Sequence, residues 1–539
     1  MPFIPRLPVA YRALNSWTAR GAVRSVCSGG WSGGTEKFLH GRPSSIKGAV
    51  PPYRGCRQFS SSQIMTRKAF CVYEGAFIHP RVPSTTNRNI KPGLEFVPRG
   101  RIIVENGSGK IVLIQRDNSS ENGNSNIGEL LRDNGINEAD LEYVRAPEGA
   151  FFFPGFFDTH IHAPQYPNSG IFGESTLLDW LETYTFPMEA SLSDTDRAKA
   201  VYSKVIEKTL GNGTTTASYY ATIHPEPTQI LADEALRQGQ RAFVGRVCMV
   251  QNSPDYYVHT EEESKAADEQ VIAYIKKRDP QGEIISPIVT PRFAPSCTEH
   301  IMEWQAKLAK RENLPIQTHI SENTGEVEWV KELFPKCSGY ADVYDKAGLL
   351  TDRTILAHCV HLTEDEKHLI HHRQSGISHC PISNSSLTSG ECPVRSLLNK
   401  EIKVSLGTDV SGGYSPSILA VARQALLVSR HIAMKSQDKD DVLNFEEVLY
   451  LATYGGAEVC GLADKLGSFE VGKKWDAQLV SLDHNDSPID VFPFATSSLS
   501  KEQRLRHSAQ QWIYLGDDRN TRKVWVNGQL VINKDGSSN

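Results

Sequence analysis

The sequence predicts an α/β protein: a (β/α)8 TIM-like barrel with a small β-sandwich formed from N- and C-terminal segments. Two patterns predict it. Eight runs of strand character alternate with amphipathic helical stretches through the middle of the chain, as βα units around a parallel sheet require. β-like text, punctuated by glycine, proline and asparagine, brackets that middle on both sides. At 539 residues the chain has room for a barrel plus a companion.

In chain order, residues 1–65 stand apart. Glu36 is their only acidic residue, against Arg6, Arg12, Arg20, Arg24, Lys37, Arg42, Lys47, Arg54 and Arg57. Arg-rich, Ser-rich and acid-poor text suits a mitochondrial transit peptide, and equally a disordered leader ahead of a start at Met65. The protein is expected in the cytosol, with a mitochondrial form if the leader is used. Residues 66–153, with AFCVYEGAFIHP, RGRIIVENGSGKIVLIQ and VRAPEGAFFFPGFFD, supply the first part of the sandwich, and 118–137 reads as a polar loop.

Residues 154–463 are expected to form the barrel. Its strands are AFFFPGFFDTHIH, TTTASYYATIH, RAFVGRVCM, EIISPIVTPRF, LPIQTHISEN, RTILAHCVHL, SGISHCPISN and IKVSLGTDV. Helical stretches such as DTDRAKAVYSKVIEKTL and SILAVARQALLVSRHIAM lie between or after them. Residues 464–539, with GSFEVGKKWDAQLVSLD and TRKVWVNGQLVIN, complete the sandwich.

Composition removes several classes of function. A formal net charge of -5 argues against nucleic acid or an anionic membrane as partner. No apolar run is long enough to span a bilayer. The 10 cysteines are scattered with no CxxC pair, as suits reduced thiols.

Barrel enzymes place their active residues at the carboxyl ends of the strands. Strand one ends in His160 and His162, and alternation turns residues two apart to the same face. Strand five ends in His319, strand six in His358, and strand eight in GTDV with Asp409. Any one of these histidines alone reads as an ordinary buried side chain. Together, imidazoles and a carboxylate at equivalent strand ends suit zinc, which makes hydroxide available near neutral pH. Strand four ends without a lysine, so one metal fits better than a pair bridged by a carbamylated lysine.

Glu322, three residues past His319, is placed for general acid–base work, or else for a helix N-terminus that favours its charge. Asp409 suits metal binding, proton transfer, or both. Arg292 offers a fork of donors for a carbonyl or carboxylate, and Phe293 a face for a flat ring. His361, His371 and His372 lie past a strand end or in the following helix and are read as ordinary.

HxH on strand one, HxxE on strand five, AHC on strand six and GTD on strand eight resemble the amidohydrolase superfamily. FEVGKKWDAQLV is similar to its recurring closing strand. PGFFDTHIHAPQY, TPRFAPSC, THISEN, HCPISNSSLTSG and LGTDVSGGYSPS narrow the resemblance, over roughly residues 69–535, to the guanine deaminases among its metal-dependent deaminases. The resemblance implies one zinc ion, with iron as the alternative, on His160, His162, His319 and Asp409. His358 would then either ligate or hydrogen-bond the attacking hydroxide. Glu322 would shuttle protons, with Asp409 and His358 as its catalytic partners. Gln165, Arg292 and Phe293 would contact the purine, together with His319, Glu322 and Asp409. The implied reaction is hydrolytic deamination of guanine to xanthine and ammonia, in purine catabolism. The implied partners are a small-molecule purine and a second copy in a homodimer. Hydrolysis or deamination of another purine, pyrimidine or triazine ring is the competing reading, and a metal-free scaffold on the same barrel is the non-catalytic one.

Overall fold

The structure, a computed structural model, describes residues 68–82, 92–117, 127–171 and 173–535. The leader expected over 1–65 lies outside the described residues, as does 118–126 of the expected polar loop. Part of the rest of that loop is ordered otherwise, with a short helix over Ile127–Asp133 that buries Leu131.

The two chain ends meet in one sheet. Strands β1 (Phe70–Pro80), β2 (Leu94–Glu105), β3 (Ile111–Arg116), β4 (Leu141–Arg145) and β5 (Phe151–Pro154) come from the first. The middle of the chain carries β6 (Phe156–His162), β7 (Thr214–Tyr220), β8 (Arg241–Gly245), β9 (Val247–Cys248), β10 (Ile285–Pro287), β11 (Thr290–Pro291), β12 (Ile316–Ile320), β13 (Thr354–His358), β14 (Gly376–His379) and β15 (Lys403–Leu406). The last stretch adds β16 (Ala477–Val480), β17 (Thr521–Val526) and β18 (Gln529–Asn533). The terminal sheet runs β18-β17-β16-β5-β1-β2-β3, with β4 paired to β1. The ends join where β5 and β16 pair antiparallel, Phe152 opposite Leu479. Tyr73, Phe152, Phe469, Trp475 and Trp525 form its aromatic core, and the Tyr73 and Trp475 ring centroids lie 4.2 Å apart.

The middle of the chain forms two parallel four-stranded sheets, β10-β8-β7-β6 and β12-β13-β14-β15. A Val289–Ile316 bridge links them at one side. At the other, the Asp409 N–H donates to the His160 carbonyl (2.8 Å) and the His162 N–H to that of Val410 (3.1 Å). Every residue of β6 and β7 is buried, as parallel strands covered on both faces must be. The covering helices carry conventional end signals. Glu261–Arg278 begins with a Thr260/Glu263 capping box and three acids, and ends in Lys276, Lys277 and Arg278. Pro225–Gln238 starts on proline and stops at Gly239, where φ is 76°.

Four expected elements differ from the sequence reading. The first barrel strand is two strands, because AFFFP joins the terminal sheet and the chain changes sheets at Gly155. The third breaks at Arg246, whose buried guanidinium turns to Asp268 (2.7 Å) and Ser264. The fourth is two short pieces, β10 and β11, separated by Ile288 and Val289. Residues 464–539 are also not all β: helix Lys501–Leu515 buries Trp512, which stacks on Phe156 at 5.6 Å. No helix of the described residues is long and apolar enough to cross a membrane.

Gly155 is the single residue between β5 and β6, and a Cβ there would collide with the Thr215 side chain. Gly155→Ala is expected to cost ~1–3 kcal/mol by overpacking. The urea unfolding midpoint reads this, and an unchanged midpoint would refute the tight join.

Candidate active site

The strand ends converge as alternation predicts. His160 and His162 both close β6, His319 lies in β12 and His358 ends β13. Asp409 follows β15 in a left-handed backbone conformation (φ 47°), shared by Ser321 and Cys359 just past their strands (φ 49° and 53°) and by His358 at the end of its own (φ 72°). Such backbone is uncommon outside glycine and concentrates at functional sites. Asp158 holds two of these ends together. Its carboxylate accepts the Thr408 N–H (2.9 Å) and the Thr408 hydroxyl, which fixes the GTD turn against β6.

Ligand atoms of His160, His162, His319 and Asp409 all lie within 4.8 Å of one another. Asp409 Oδ1 stands 3.1 Å from His160 Nε2 and 3.4 Å from His162 Nε2. His319 donates Nδ1–H to the Arg292 carbonyl at 2.6 Å, which leaves the Nε2 of the neutral ring with a bare lone pair. That Nε2 lies 3.1 Å from the Nε2 of His162. Burial depresses the pKa of all three imidazoles, which favours the neutral form that a metal ligand needs. Burial pushes Asp409 upward, but His160, His358 and His319 outweigh it and hold the carboxylate below its usual range. Beyond the Asp409 contact, both ring nitrogens of His160 are buried without a hydrogen-bond partner, as is His162 Nδ1. Neutral nitrogens and an ionised carboxylate gathered this closely suit a divalent cation.

His358 and Glu322 stand close to each other and to Asp409. His358 donates Nδ1–H to Asn384 Oδ1 (2.9 Å), and its Nε2 lies 3.4 Å from Glu322 and 3.7 Å from Asp409. Burial opposes its charge, but Glu322 and Asp409 raise its pKa overall. Burial lifts Glu322 to about 7, against the lowering effect of His358 and with help from Asp409 and Glu326. The loop is held by Glu326, which accepts the Glu322 N–H at 2.9 Å, and by Ser389, whose hydroxyl donates to Glu322 at 3.2 Å. His361, read as ordinary, donates to the Ser389 carbonyl (2.7 Å) and so supports this loop.

A cavity opens beside these groups. Gln165, Arg292, Phe293, Glu322, His162, His319 and Asp409 line it, so most of the expected site residues meet there. His160 and His358 lie behind its wall. One expectation needs correcting. Arg292 does not present its whole fork to the cavity, because Nη1 and Nη2 each donate to buried Glu189 (2.7 and 3.1 Å). Glu189, Glu326, Trp180, Leu177 and Leu181 are missed by the motif reading. Four of them, Leu177, Trp180, Leu181 and Glu189, fall in the stretch LLDWLETYTFPMEA, where acids and a tryptophan interrupt the apolar residues.

Comparison with known proteins agrees with this geometry. The Amidohydrolase family matches residues 151–531. A probable guanine deaminase of Schizosaccharomyces pombe is 48% identical over 426 residues, 79% of this chain and 78% of the relative. The guanine deaminase of Mus musculus is 41% identical over 463 residues, 86% of this chain and 96% of its own. A crystal structure of guanine deaminase from C. acetobutylicum, with guanine bound in the active site, superposes with a TM-score of 0.73. It is 34% identical and covers 86% of this chain and 99% of that one.

Asp409→Ala is expected to weaken divalent-metal binding by more than the ~10–100-fold that loss of an outer-sphere partner costs. Competition titration with a chelating dye measures it. Affinity within twofold of wild type would remove Asp409 from the ligand set.

Proposed function

The chain belongs to the amidohydrolase family, and on that footing we propose that it catalyses the hydrolytic deamination of guanine to xanthine and ammonia. One observation carries the reading: groups suited to read a purine edge, Gln165 and Arg292, share a cavity with Glu322 and the metal-ligand group. The relatives above are named as a guanine deaminase and a probable one, and their likeness runs over most of the chain.

We propose zinc, one ion per chain, on His160, His162, His319 and Asp409, with iron as the alternative; three imidazoles and a carboxylate are a donor set zinc takes readily. A bound divalent ion supplies a Lewis acid that brings a water pKa to about 7. The protein groups do the rest. Arg292 retains N–H donors beyond the two on Glu189 and aims them at the purine carbonyl; Gln165 matches donor and acceptor atoms of the ring. Phe293 stacks on the base. Glu322, with a pKa near 7, takes a proton from the attacking water and passes it to the ring nitrogen beside the carbon bearing the exocyclic amine. His358 and Asp409 hold the oxygen for attack; the second proton of that water then passes through Glu322 to the exocyclic amine, the C–N bond breaks and ammonia leaves, with the oxygen kept as the new ring carbonyl.

The same proposal extends to architecture. The two parallel sheets close into one (β/α)8 barrel over 154–463, and the terminal sheet from 66–153 and 464–539 curls into a small sandwich. Support comes from the links at both sides of the parallel sheets and from the shared core of the terminal strands. We further propose a homodimer working in the cytosol, with a mitochondrial form if the Arg-rich, acid-poor residues 1–65 serve as a transit peptide rather than a disordered leader.

Glu322→Gln is expected to lower kcat about 10²–10⁴-fold while bound metal stays at the wild-type level. Xanthine formation from guanine, followed by absorbance alongside elemental analysis, checks both. A variant retaining wild-type kcat would take Glu322 out of the reaction.

A further inference from the structure

Behind the cavity, one carboxylate collects four donors. Glu189, in helix Phe186–Ser191 and fully buried, accepts Arg292 Nη1 (2.7 Å) and Nη2 (3.1 Å). It also accepts Gln165 Nε2 at 2.7 Å and the Tyr257 hydroxyl at 2.8 Å. Gln165 follows β6 and Arg292 follows β11, so Glu189 ties together residues that approach the cavity from different strands.

The bonds also set which way each group faces. Gln165 Oε1 accepts the Ser411 N–H at 3.2 Å while its amide nitrogen donates to Glu189. Flipping the amide would bring two acceptors together at Glu189 and two donors together at Ser411. The guanidinium is fixed in plane by its two bonds and packs over the Phe186 ring at 5.2 Å. Glu189 itself does not line the cavity and has no exposed surface.

We infer that Glu189 is the positioning residue for substrate recognition, holding Gln165 and Arg292 in the one arrangement that reads a carbonyl-bearing purine edge. The inference rests on the guanine reading given above. A role limited to neutralising a buried arginine would be met by any carboxylate close to Arg292. The observed geometry asks for more, since one carboxylate must reach Arg292, Gln165 and Tyr257 together. Aspartate keeps the charge but is shorter by a methylene group and cannot span all three.

The test compares the metal-loaded wild-type enzyme with Glu189→Asp and Glu189→Gln. Xanthine formation from guanine gives kcat and KM, and bound metal and melting temperature are measured on the same preparations. Loss of binding that is uniform between ground and transition state appears in KM, so each variant is expected to raise KM at least ~5-fold with kcat within about threefold. In Glu189→Asp the metal content and melting temperature stay near wild type. If Glu189→Gln fails to fold with its unpaired arginine, Glu189→Asp decides alone. A KM rise below that threshold in Glu189→Asp, or a loss confined to kcat, overturns the positioning role. A wild-type enzyme that forms no xanthine overturns the guanine reading and this inference with it.

Discussion

The bonds between Asp158 and Thr408 are the constraint from which the rest of the site follows. Asp158 sits in β6 two residues before His160, and Thr408 immediately precedes Asp409. A buried carboxyl that accepts both a backbone N–H and a hydroxyl leaves little freedom to the turn it grips. Burial drives the Asp158 pKa to about 7 even though the Thr408 bonds pull the other way, so the group sits where water does not compete for those bonds. Through this clamp, His160 and His162 are held facing Asp409.

Electrostatic character then varies over a few ångströms. Neutral imidazoles surround an ionised Asp409, while Glu322, only 3.4 Å from His358, sits near the middle of its titration at neutral pH. The contrast has a physical origin. Asp409 faces several histidines, whereas Glu322 has Asp409 and Glu326 among its neighbours and loses more to burial than His358 returns. Carboxylates whose surroundings drive their pKa values apart can divide anchoring and proton transfer between them.

The ligand group was legible in the sequence because each member ends a strand and carries a distinctive motif. HxH, HxxE, AHC and GTD survive translation into space since a parallel sheet aligns its carboxyl ends. Glu189 was not legible. It lies on a short helix between β6 and β7, and its importance depends on three partners from other parts of the chain. The break at Gly155 was hidden for a related reason: AFFFPGFFD is uniformly apolar, and strand character says nothing about which sheet each half joins. The helix carrying Trp512 was lost because the text around it was read as a continuation of β structure.

The direct passage from β5 to β6 has a consequence for how the chain is made. β5 pairs with β16, so the strand leading into His160 and His162 lacks one neighbour until residues beyond 480 have emerged from the ribosome. During that interval the apolar run Phe151–Phe157 has no settled partner on that side, and it is the sort of segment that invites wrong pairing or capture by chaperones. Parallel sheets, whose contacts are distant in sequence, already fold slowly. Completion of the sheet that anchors the lead-in to the histidine-bearing strand is thereby deferred until β16 has been made.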